Sequence, residues 1–134
     1  MLEDQKQPSK EGQPDVKTIL VVEDDEDIGE ALLFALNEEP SYYVIVVATG
    51  NEALQIAGGR KINLFIVDYY LSDVNGIELY DKLHAIPELQ DVPVLLVSVN
   101  IEHLEQQLRV RHLMGLGKPF DLDKFLELVA KAVI

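Results

Sequence analysis

Short apolar runs alternate along this chain with stretches whose apolar residues recur at helical spacing. Residues 18–22, 42–47, 62–67 and 94–97 are rich in Val, Ile and Leu and have the length of strands. The nearly unbroken run over 62–67 is the pattern of a strand buried on both faces. Ile28, Ala31, Leu32, Ala35 and Leu36 predict a first helix over about 27–37, starting at Asp27. Residues 51–57 predict a short second helix, stopped by Gly58 and Gly59. Gly76 opens a third, which carries Ile77, Leu79, Tyr80 and Leu83 and ends before Pro87. A more weakly patterned fourth helix covers about 101–111, and 113–116 reads as a poor fifth strand with Gly115 inside it. Asp121 reads as the N-cap of a last helix bearing Leu122, Phe125, Leu126 and Val129.

Five β-α units in succession predict an α/β fold: a flavodoxin-like, doubly wound, five-stranded parallel sheet with helices on both faces. Its common strand order is 2-1-3-4-5, with ligands bound beyond the carboxyl ends of the strands at the switch point. In that order the first, third, fourth and fifth strands are neighbours. The polar residues that follow them, Glu23 and Asp24, Asp68, Ser98 and Lys118, then stand side by side along one rim.

Residues 1–16 are rich in Gln, Pro, Lys and Glu without apolar periodicity, and are expected to be a flexible tail ahead of one domain over 17–134. With 48% hydrophobic residues the domain can fill a single core. No apolar run approaches the ~20 residues of a membrane span and there is no signal-peptide core, so a soluble, cytoplasmic protein without a membrane partner is expected. The absence of cysteine excludes disulfide, zinc-thiolate and cysteine-nucleophile chemistry. A net charge of −13, from 24 acidic against 11 basic residues, opposes direct nucleic-acid binding. The same charge suits a divalent cation or a basic partner surface.

Three carboxylates held within a few ångströms repel one another, and a cation relieves that repulsion. Oxygen-only donors favour a hard cation, and their small number favours Mg²⁺, which keeps waters and shares ligands with phosphate. A carboxylate nucleophile beside Mg²⁺, a lysine and a hydroxyl is a workable set for phosphoryl transfer. Taken alone, the run 23–27 would be a solvated loop entering a helix N-terminus, and Asp25 and Asp27 keep that structural reading. Gly115 to Lys118 fails as a phosphate loop because its first glycine is missing and Pro119 occupies the hydroxyl position. The acidic run and residues 73–76 miss calcium-loop spacing. His84, His103 and His112 are scattered on helical segments as surface or boundary residues, and each of the pairs Tyr42-Tyr43 and Tyr69-Tyr70 is expected to put one ring in and one out.

Residues 19–24, 66–68 with 73–76, 93–98 and 118–120 together resemble the motifs of response-regulator receiver domains, in that family's order and near its spacings. The likeness covers about 17–134. It implies that Asp68 accepts a phosphoryl group from a histidine kinase or histidine phosphotransfer protein. Asp24 and Asp68 would bind Mg²⁺, with Glu23 acting through water and the Tyr70 backbone carbonyl completing the protein ligands. Ser98 would move toward the phosphoryl group and Lys118 would pair with it, across a Lys118-Pro119 bond that is typically cis. A homodimer through the last helices is a further implication. Such a domain is a self-phosphorylating and autodephosphorylating switch rather than a turnover enzyme.

The chain departs from that pattern at Val99, where Ala or Gly follows the switch hydroxyl, and at Gly115, where an aromatic usually stands. It departs also at Ser72, where Pro is common, and in a slightly short interval between Ser98 and Lys118. Val99 would crowd the phosphoryl pocket, and Gly115 would remove the usual hydroxyl-to-aromatic coupling. These features favour a second reading, a receiver-like interaction domain with little phosphorylation-dependent switching. A Mg²⁺-dependent phosphohydrolase is a poorer fit, since Tyr70 stands where its second aspartate belongs.

Overall fold

The computed structural model describes residues 13–134, so most of the tail expected over 1–16 lies outside the described residues. In chain order the elements are β1 (Lys17–Val22), α1 (Glu26–Leu36), β2 (Tyr42–Val47), α2 (Gly50–Ala57) and β3 (Leu64–Asp68). They continue with α3 (Gly76–His84), β4 (Val94–Ser98), α4 (Glu105–Arg111), β5 (Met114–Gly117) and α5 (Leu122–Ala132). Single 3-10 turns occupy Pro87–Leu89 and Ile101–Leu104. The five strands form one parallel sheet in the order β2-β1-β3-β4-β5, the predicted topology.

Strand side chains alternate between the two faces, and each face has its own core. Leu20, Val22, Phe65, Val67 and Leu96 pack with Ala53 and Leu79 under α2, α3 and α4. Ile19, Val21, Ile66, Leu95, Val97 and Leu116 pack with Leu32, Leu36, Phe125 and Val129 of α1 and α5. Both faces are covered, which is why the central strands read as apolar runs.

Side-chain caps set the helix starts. Thr49 with Glu52, and Asn75 with Glu78, form capping boxes for α2 and α3. Asp121 accepts the Asp123 N–H at 3.2 Å and caps α5, as expected. Asp27 is not the start of α1. Asp25 accepts the Ile28 N–H at 3.1 Å, which begins the helix one residue earlier, at Glu26.

The expected helix over 101–111 is two pieces, because its first turn is 3-10 and only Glu105–Arg111 is α-helical. Neither Asn100 nor Leu104 supplies a side-chain cap there. The tighter winding puts Ile101 and Leu104, three apart, on one face toward the sheet. α4 ends on His112 at φ 53°, in the left-handed region. Its last turn is tied to α3 by the Arg111 guanidinium, which donates to both Asp81 carboxylate oxygens at 2.9 Å, and by the Tyr80 hydroxyl, which donates to the Arg111 carbonyl at 3.2 Å. The fifth strand lies one residue later than predicted: Leu113 still donates to the helix at Leu108, and Gly117 joins the ladder opposite Ser98. β3 begins at Leu64 rather than residue 62, with Asn63 closing its edge by accepting the Thr18 N–H at 2.8 Å.

Candidate acidic site at the carboxyl ends of the strands

Every residue of the predicted rim stands at the carboxyl end of β1, β3, β4 or β5, or one or two residues beyond it. β1 stops at Val22, and Glu23 continues the path by donating its backbone N–H to the Val47 carbonyl at 2.9 Å. That bond draws Glu23 into the rim, where it is only 5% exposed, while Asp24 turns out to solvent. Asp68 is the last residue of β3, 7% exposed and in register with Val97. Ser98 ends β4 fully buried and in register with Gly117. Lys118 follows directly, its backbone N–H bonded to the Ser98 carbonyl at 2.9 Å, and the Lys118-Pro119 bond is cis.

Glu23, Asp24 and Asp68 each offer a carboxylate oxygen within 4.8 Å of the others. Lys118 reaches between two of them, its Nζ 3.3 Å from Glu23 Oε1 and 3.5 Å from Asp68 Oδ2. One ammonium thus faces three acids, two of them buried, and the balance is electrically incomplete. Glu23 shows the consequence. Burial above all, with Asp68's negative charge added, pushes its carboxyl up to about 7, against the Asp25 N–H and Lys118, which favour the charged form. A hard divalent cation fits this donor set, all oxygen and of surplus negative charge.

The loop that follows β3 is braced from two sides. Asp73 accepts the N–H groups of Gly50 and Asn51 at 3.0 and 2.9 Å, which ties the loop to the start of α2 and holds its carboxyl below the usual range. A Cβ on Gly76 would meet Leu96 at 2.6 Å, the Tyr69 Cα at 2.9 Å and the Asp68 carbonyl at 3.0 Å, so only glycine lets α3 start this close to the strand end. Tyr70, two residues past Asp68, bridges back to Asn75 and leaves its ring half exposed, packed edge-on against Tyr69. Against the expected one ring in and one out, Tyr69 is half-buried beside the exposed Tyr70, and Tyr42 is buried while Tyr43 is half-buried. Val99, directly after Ser98, is 56% exposed.

Two contributors went unread in the sequence. Asp73 matters by accepting two backbone N–H groups, and Asn100 through its N–H, which donates to the Ser98 hydroxyl at 3.3 Å. The capping boxes had a local signal in Thr49-x-x-Glu52 and Asn75-x-x-Glu78. The 23-residue reach of Asp73 had none.

Comparison with known proteins agrees with this layout. The family model described as the response regulator receiver domain matches residues 19–130. The chain is 32% identical over 108 residues to the transcriptional regulatory protein MalR of Bacillus subtilis, covering 80% of this chain and 46% of that protein. It is 29% identical over 115 residues to the polar-differentiation response regulator DivK of Brucella anthropi, covering 84% of this chain and 93% of DivK. It thus spans about half the length of MalR and nearly all of DivK. Among solved structures, the receiver domain of the sensor histidine kinase PA1611 from Pseudomonas aeruginosa, which has a magnesium ion in its active-site cleft, superposes with a TM-score of 0.73 at 21% identity. That superposition covers 87% of this chain and 97% of that one.

Proposed function

This chain belongs to the receiver domains of two-component response regulators, and from that premise we propose that it is a Mg²⁺-dependent phosphoacceptor switch acting through Asp68. The observation that carries the reading is the convergence of three carboxylates within 4.8 Å, with Lys118 laid between Glu23 and Asp68. Asp24 and Asp68 would ligate the ion directly, Glu23 through water, and the Tyr70 backbone carbonyl would complete the protein's share. Bound Mg²⁺ offsets the negative charge of the carboxylates and of an incoming phosphoryl group.

The chain's own residues do the rest. An Asp68 carboxylate oxygen attacks phosphorus in line, and the P–N bond of a phosphohistidine breaks with its electron pair leaving on the imidazole nitrogen, which takes up a proton. Lys118 is placed to exchange its contact with the Asp68 carboxylate for one with the new phosphoryl oxygens. Ser98, buried beside Asp68's strand, has a hydroxyl that can donate to one of those oxygens. The donor is a histidine kinase or histidine phosphotransfer protein, and the acyl phosphate is later lost to water. The compartment this implies is the cytoplasm.

Val99 and Gly115 favour a second reading, an interaction domain that signals without phosphorylation. The deciding experiment is intact-mass measurement after incubation with acetyl phosphate or a phosphoramidate, with Mg²⁺ or EDTA, and with Asp68→Asn alongside. One added phosphoryl group, absent with EDTA and in the variant, is the expected result. A folded, Mg²⁺-binding protein that forms no adduct assigns the second reading. A homodimer through the last helices, α4 and α5, is tested on the same samples by sedimentation.

A further inference from the structure

At the amino ends of β3 and β4, away from the acidic rim, a groove of about 600 Å³ lies between the loop that follows α2 and the loop that follows α3. Its floor is apolar: Ile62, Leu89 and Val92 are buried and Ile86 is half-buried. Its two walls carry opposite charge. Arg60 and Lys61 stand on the α2 side, Glu88 and Asp91 on the α3 side, and all four are exposed. The side chains of Lys61, Glu88 and Asp91 make no hydrogen bond or ion pair among the described residues.

Ile134 stands at the edge of the same groove with its side chain 55% exposed. Two hydrogen bonds fix it there: its N–H donates to the Asn63 carbonyl at 3.3 Å, and its carbonyl accepts from Lys17 Nζ at 2.6 Å. The α3-side wall is fixed as well, since Leu89 donates its N–H to the Ile86 carbonyl at 2.9 Å and Val92 to the Leu89 carbonyl at 3.1 Å. An apolar knob, an apolar floor and two walls of opposite charge make a surface complementary to itself. A two-fold axis sets the basic wall of one copy against the acidic wall of the other, twice, and lays each Ile134 over the other copy's floor. Charge also singles out this face. In a chain of net charge −13 most of the surface of one copy repels another, but Lys17, Arg60 and Lys61 bring three of the 11 basic residues here, against the groove's two acids.

We propose that this face binds a second copy of the chain, in a two-fold pair joined through the amino end of the sheet. The pair is independent of the reading of Asp68: it forms without phosphorylation. It also leaves both acidic sites open to a phosphoryl donor, because they lie at the opposite end of the strands. One groove and one knob per copy put the association in the weak class of interfaces, below about 1,200 Å² in total.

The test is sedimentation equilibrium of the full chain from about 10 µM to about 1 mM, with no phosphoryl donor present. A reversible monomer–dimer equilibrium is expected. Lys61→Glu and Glu88→Lys should each weaken it about tenfold or more, because each sets like charges face to face twice in the pair. An equimolar mixture of the two variants should associate about as tightly as the unsubstituted chain, since each then meets its opposite. Ile134→Ser should weaken the pair through the apolar contact alone. All three positions are exposed, and thermal unfolding by circular dichroism confirms that each variant is folded. A chain that stays monomeric over the whole range overturns the proposal. So does a dimer that neither charge change weakens, which would lie on another face such as the last helices, and so does a mixture that fails to restore association.

Discussion

Replacing Glu23 by Gln should stabilise this protein in the absence of metal and weaken its response to Mg²⁺. Glu23 titrates near 7 in the fold against 4.5 for an unperturbed carboxyl, chiefly because it is buried. The folded state therefore holds a proton that the unfolded chain releases between those values. The group's favourable contribution is complete below about pH 4.5 and is lost as pH rises through about 7. At about 1.36 kcal/mol per unit, the ionised side chain costs the fold up to about 3 kcal/mol above pH 7. Gln keeps the shape without the charge, and Lys118 is not orphaned because Asp68 remains 3.5 Å away. We expect a gain of about 1–3 kcal/mol near pH 8, or about 3–6 °C in unfolding midpoint per kcal/mol for a domain of this size. The gain should vanish near pH 4.5. Added Mg²⁺ raises the unsubstituted protein's midpoint by mass action, and should raise the variant's less. Thermal unfolding by circular dichroism at both pH values, with MgCl₂ or EDTA, reads all four terms. A variant that is less stable near pH 8, or a gap independent of pH, refutes the reasoning.

Asp73→Ala removes the acceptor of two backbone N–H groups and should cost about 1–2 kcal/mol, comparable to a lost helix cap, as read by urea unfolding. Because the Asp73 carboxyl is held below its usual range, that contribution should be present above about pH 4 and fade as pH falls further. Asp81→Asn breaks the charge pairing with Arg111 on an exposed surface and should cost no more than about 1 kcal/mol, but raise amide exchange at the end of α4. Phe125→Ala, at a fully buried position, should cost about 3–5 kcal/mol, measured against the same baseline. Val99→Ala should shorten the lifetime of the phosphoryl adduct by opening the approach beside Ser98, followed by mass as the adduct decays.

The sheet could be read from the chain because burial on both faces writes each strand as an apolar run, and the strand order follows from the repeated β-α unit. The rim was legible for the same reason. A polar residue that ends an apolar run has only one place to go once the order is known, and Glu23, Asp68, Ser98 and Lys118 went there. What escaped was carried by contacts between side chains and backbone groups. Asp73 works by accepting amides 22 and 23 residues upstream, which leaves no periodic trace. Asp25 rather than Asp27 caps α1 because the choice among neighbouring acids is settled by backbone geometry at Asp25, not by composition. The segment 101–111 looked weak as a helix because its first turn is 3-10, and the glycines of β5 looked like defects because the side chain that fills them belongs to Ile101.

The tie between Arg111 and α3 gives that last arrangement a mechanical meaning. Two hydrogen bonds from the guanidinium to Asp81, and one from Tyr80 to the Arg111 carbonyl, hold one end of the segment that begins at Ile101. The other end, at Ile101, packs over the bare backbone of Gly115 and Gly117. The two ends are about 15–20 Å apart by standard helical rises. A displacement of about 1 Å at Ile101 would swing the segment through about 3°, largest beside the acidic site and fading toward Arg111. The segment is thus held unequally along its length, firmly at Arg111 and only by packing at Ile101.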